Sequence, residues 1–84
     1  MCRVANNIAQ PIGPTFRVAC LAKTPNGVVL IGNKHQGQLY LPQRAISHAD
    51  TPACNAHQAM WEHTGMNVEV TQLLTEAKHG LAIY

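Results

Sequence analysis

The sequence predicts a mixed α/β domain, a sheet packed against one main helix. Three observations carry that prediction. An Asn26-Gly27 pair stands between two apolar runs, which is a hairpin signal. Thr51-Pro52 opens a helical stripe that Gly65 closes, so both ends of a helix are marked. Val68 and Val70 alternate with Asn67, Glu69 and Thr71, the period-two pattern of a strand with one face on a core.

Taken in order, residues 1–15 are polar and hold Pro11, Gly13 and Pro14, and they read as an N-terminal arm. Residues 16–84 are then the domain. Residues 16–21 form a β-rich strand and residues 28–31 a second apolar run, with Thr24-Pro25-Asn26-Gly27 turning between them. Residues 38–41 make a short strand stopped by Pro42, and Ala45-Ile46 a brief further one. The helix follows: Thr51 suits the N-cap, Pro52 the first helical position and Gly65 the C′ position. Ala53, Ala56, Met60 and Thr64 lie along one stripe between them, predicting a helix over residues 52–64. Residues 68–74 then read as a strand, Lys78-His79-Gly80 as a turn, and residues 81–84 as a last apolar strand. That last run is expected at an open sheet edge, incomplete at the C-terminal end, where a second copy would cover it.

Composition narrows the function classes. A chain of 84 residues is one domain. Charged residues are 12%, about half the usual share of roughly 25%, which suggests a surface partly hidden against a partner, and a homodimer is expected. The six cations (Arg3, Arg17, Lys23, Lys34, Arg44, Lys78) are scattered, so no footprint for nucleic acid is visible. No apolar stretch approaches a membrane span or a signal peptide, and the expected compartment is the cytoplasm. Cys2, Cys20 and Cys54 are an odd set without CxxC spacing, read as reduced thiols rather than as a disulfide framework or a zinc site.

Between residues 16 and 70 the chain resembles the front of a Nudix (MutT-like) hydrolase domain. Such domains open on a strand hairpin, pass a Trp/Tyr-x-Leu-Pro-Gly-Gly loop and continue into a box written G-x5-E-x7-R-E-(aliphatic)-x-E-E-x-G-(aliphatic). Tyr40-Leu41-Pro42 matches the start of the loop and Thr64-Gly65-Met66 the end of the box. With Gly65 as the closing glycine, Arg44 falls on the first glycine and Asp50 on the first glutamate. Gln58 and Ala59 then replace the arginine and its glutamate, and Met60 fits the aliphatic site. Glu62 keeps the first paired acid and His63 replaces the second. The resemblance implies a Nudix-like mixed sheet against one box helix, with a degenerate catalytic box.

The chemistry explains what that degeneracy would remove. Cleaving a diphosphate needs a divalent metal that neutralises charge and positions water. Mg²⁺ takes hard oxygen ligands in octahedral geometry. In the family, glutamates three and four residues apart on one helix face supply them; here those places hold Ala59, Glu62 and His63. The resemblance therefore implies a non-hydrolysing module that binds a nucleotide-like small molecule or a protein. Its alternative is a hydrolase of nucleoside diphosphate derivatives using Mg²⁺ or Mn²⁺, with Glu62, His63 and Asp50 as ligands and Glu62 catalytic. Arg44 and Tyr40 are the substrate-binding candidates. A guanidinium pairs well with phosphate, though a solvated loop arginine is the plainer reading of Arg44. His48, His57 and His63 with Asp50 and Glu62 offer a softer metal such as Zn²⁺ a site, against the plainer reading of hydrogen-bonded or exposed histidines. Cys54 near His57 is a weak nucleophile candidate without an orienting third group. Trp61 lies off the helical stripe and reads as a second packing face or an interface anchor.

Overall fold

Val18 is fully buried, and the strand that carries it, β1 (Arg17–Ala19), is the axis of the fold. The computed structural model describes residues 2–33 and 35–84; Met1 and Lys34, the start of the N-terminal segment and one of the six cations, lie outside the described residues. After β1 come β2 (Lys23–Thr24), β3 (Gly27–Val28), β4 (Ile31–Asn33), β5 (Gln38–Tyr40) and β6 (Gln43–Ala45). Then follow the helix α1 (Pro52–Thr64), β7 (Thr75–Ala77) and β8 (Leu81–Ile83). The main sheet has the order β6-β1-β8-β7, and β2-β3 and β4-β5 are two separate ladders. β1 pairs antiparallel with β6 and parallel with β8, and β7 and β8 form an antiparallel pair. The domain is mixed α/β with one helix and a mixed sheet, as the sequence predicts.

The helix runs over the predicted residues because both ends are set locally. Thr51 is extended, and its hydroxyl accepts from the Cys54 amide at 3.2 Å. Gly65, at φ 73°, takes the left-handed conformation and its amide reaches the Trp61 carbonyl. α1 packs on β1 and β6. Its buried side is mostly small, Ala53, Ala56 and Ala59, so the helix can lie close to Val18 and Ala82 on the sheet. Met60, the largest fully buried side chain, fills the remaining space.

The N-terminal segment is fastened across this core at several points. Cys2 and Cys54 form a disulfide. Val4 bridges Val70 in parallel, with Ala5 donating to the Val70 carbonyl at 2.8 Å and Val70 to the Arg3 carbonyl at 2.9 Å. Further along, the amides of Ile12 and Gly13 each donate to the Glu76 carboxylate at 3.0 Å. Val4 and Ile8 pack against the core.

Four expectations are corrected. The turn before Gly27 exists, but its arms are only β2 and β3, with Pro25 and Asn26 at its centre. Thr24 closes it locally, its hydroxyl donating to the Gly27 carbonyl and accepting from the Asn26 amide. β1 is thereby released to pair with β6 and β8, where Val18 gains neighbours on both sides. Residues 68–74 hold only the Val70 bridge, and the ladder strand is β7, because Val70's backbone bonds go to the N-terminal segment. The final apolar run is not an edge: β8 lies between β1 and β7, and Ala82 and Tyr84 are buried. The cysteines are not all reduced thiols, since the fold brings residue 2 back to residue 54 and leaves only Cys20 free, buried.

Candidate functional site

The packing of α1 on β6 decides the geometry around Arg44 and Glu62. β6 carries Arg44 in register with Val18, beside the helix. From there the Arg44 guanidinium runs along a polar seam formed by Asn55, Gln58 and Glu62. These residues are three and four apart and so share one helix face. Arg44 Nε lies 3.4 Å from Glu62 Oε1, and its Nη1 donates to Asn55 Oδ1 at 3.2 Å. Gln58 Nε2 donates to the other Glu62 oxygen at 3.3 Å. Both carboxylate oxygens are therefore engaged, one by a full positive charge.

His63 also meets β6, at the residue before Arg44. Its Nε2 contacts the Gln43 carbonyl at 3.0 Å. A carbonyl only accepts, so that nitrogen carries hydrogen and offers no lone pair to a metal. Ala59, which the Nudix resemblance aligns with a glutamate, is fully buried. Asp50 is exposed just before the helix cap, twelve residues from Glu62. Within α1 the ten residues from Pro52 to Glu62 alone span roughly 15 Å at 1.5 Å of rise per residue. Glu62, His63 and Asp50 are thus not brought together, and among the described residues no group of three or more His, Cys, Asp or Glu side chains is arranged to hold a metal ion.

Other candidates separate in the same way. Tyr40 is part-exposed at the end of β5, in register with Ile31 and outside the ladder that carries Arg44. His57 is buried with Nε2 on Asn67 Oδ1 at 2.8 Å, a satisfied packing histidine. Cys54 is corrected as a nucleophile: its sulfur is bonded to Cys2. Trp61 is half-exposed, on the rim of a small cleft of about 120 Å³ with His57, Gln58 and Asn67.

Asn55 is the residue that sequence reasoning missed. It is buried, and its amide donates to the carbonyls of Ser47 and Thr51, each at 2.9 Å. Its Oδ1 accepts from the Ser47 amide at 2.8 Å as well as from Arg44. One side chain thus pins the loop before α1 to the helix and holds Arg44 in place. The available signal was an asparagine inside the predicted helix, where its competition with backbone hydrogen bonds makes it a poor choice without a tertiary partner.

No helix among the described residues is long and apolar enough to cross a membrane. Compared with family models, with curated proteins and with solved structures, the chain matches none.

Proposed function

We propose that this chain is a Nudix-like domain in which an arginine has taken the place of the catalytic cation, leaving a binding module that does not hydrolyse diphosphates. The observation that carries the proposal is the Arg44–Glu62 ion pair at 3.4 Å. Glu62 is the one glutamate left at the box's metal-binding positions, and its charge is already matched by a guanidinium at the position of the family's first glycine. A divalent ion would have to displace that guanidinium and shed tightly held water for a single carboxylate. Buried Ala59 and hydrogen-bonded His63 add no oxygen ligand.

The module's ligand is a nucleotide-like small molecule or a partner protein, and the working form is a homodimer. Surface apolar groups support the association: Phe16, Leu39, Trp61 and Leu74 are all substantially exposed. The test is a hydrolysis screen over nucleotide sugars, dinucleotides and nucleoside triphosphates with Mg²⁺, Mn²⁺ and Zn²⁺. No turnover above background is expected with any metal. Turnover abolished by Glu62→Gln would establish the divergent hydrolase instead.

A further inference from the structure

The disulfide joins two unlike cysteines. Cys2 is exposed, near the beginning of the chain, whereas Cys54 is half-buried in the first turn of α1. The first turn of a helix presents amides without intrahelical acceptors and a partial positive charge, which stabilise a thiolate. No acidic residue stands in that turn to oppose it. In thiol–disulfide exchange the sulfur that leaves faster is the one better able to hold negative charge. Access and leaving-group stability therefore agree: attack falls on Cys2, and Cys54 departs.

We propose that Cys2–Cys54 is a thiol-exchange site that latches the N-terminal segment over the core, with small thiols as its substrates. In the first step an incoming thiolate bonds to Cys2 Sγ, the Cys2–Cys54 bond breaks, and its electron pair leaves on Cys54 Sγ. A second thiolate then takes the incoming sulfur from Cys2, giving an external disulfide and a second free thiolate. A dithiol completes both steps within one molecule, and it is the reductant. Once the latch opens, residues 2–8 are held by the two backbone bonds with Val70, by the Arg3 guanidinium on the Asn67 carbonyl at 3.1 Å, and by the packing of Val4 and Ile8. A terminal segment held by these contacts alone opens locally at lower cost than α1 or the main sheet. Its departure uncovers Val70, which is buried while the latch is closed.

The test uses the oxidised full chain. Reduced glutathione is added as a monothiol probe, the reaction is quenched with acid, and the mixed disulfide is mapped by mass spectrometry. At least tenfold more adduct is expected on Cys2 than on Cys54, and none on buried Cys20. Hydrogen exchange is then followed with excess dithiothreitol. The amides of Ala5 and Val70 should exchange at least tenfold faster after reduction, with a smaller change at Met60 inside α1. Cys2→Ser should reproduce the reduced pattern without any thiol. Adduct mainly on Cys54, free Cys2 and Cys54 thiols in the oxidised chain, unchanged exchange at Ala5 and Val70, or a uniform rise across all amides would each overturn the proposal.

Discussion

Asn55 illustrates how one side chain can hold more of a site than the residue that does the apparent chemistry. Its buried amide satisfies the Ser47 amide and carbonyl and the Thr51 carbonyl together. Asn55→Ala leaves those groups short of partners in a place water reaches poorly, and should cost about 2–3 kcal/mol in urea unfolding. Glu62→Gln removes only a part-exposed ion pair and should change stability by less than about 1 kcal/mol. A larger loss for Glu62→Gln than for Asn55→Ala would reverse this ranking. Glu76 gives a pH signature at the same scale. The Ile12 amide, and then the Gly13 amide, hold its carboxyl below the usual carboxylate range. A depressed carboxyl contributes stability that is present above its unfolded pKa and lost as pH falls through the folded one. The Ile12 and Gly13 anchor should therefore persist at neutral pH and release in acid, below the ordinary carboxylate range, as proton exchange at those two amides would record. Glu76→Gln should abolish that acid-linked step.

Elements differ in how far their causes reach along the chain. α1 was legible to the residue because Thr51, Pro52 and Gly65 act within a turn of each end. Strand pairing was not legible, since nothing local tells residues 17–19 to prefer residues 43–45 and 81–83 over residues 28–31. The disulfide was hidden for the same reason: its cysteines are separated by 52 positions. The polar seam was half legible. The spacing set Glu62 on a face with Ala59 and His63, whereas the structure pairs it with Gln58 and, through the β6 packing, with Arg44. Two substitutions test the elements. Met60→Ala empties the largest fully buried side chain and should cost about 2–5 kcal/mol, read from the denaturation midpoint at constant m-value. Gly80 turns β7 into β8 at φ 74°, and a Cβ there would run into the Phe16 ring. Gly80→Ala should therefore destabilise the domain, whereas Gly37→Ala, in open space at a similar φ, should cost only the left-handed penalty of about 1–2 kcal/mol. Equal losses at the two glycines would show that the Phe16 contact is unimportant.

At the scale of the whole molecule, burying β8 moves the open edges of the main sheet to β6 and β7. Association through the sheet then has to use those strands or the exposed apolar side chains, and it no longer rests on the final apolar run. Light scattering should give the mass of a dimer at micromolar concentration, and a monomer throughout that range would remove the homodimer from the proposal. If the Arg44 guanidinium stands in for a metal at Glu62, as proposed, the wild-type chain should not bind Mg²⁺. The most direct test is calorimetric titration with Mg²⁺ of the wild-type chain, of Glu62→Gln, and of the double variant Arg44→Met with His63→Glu. Methionine keeps much of the arginine stem's packing while removing its charge, and exposed His63 is a position next to Glu62 where a carboxylate can be introduced without burying it. No saturable heat is expected from the wild-type chain at millimolar Mg²⁺, and measurable binding from the double variant. Saturable binding by the wild-type chain that disappears in Glu62→Gln would contradict the proposal.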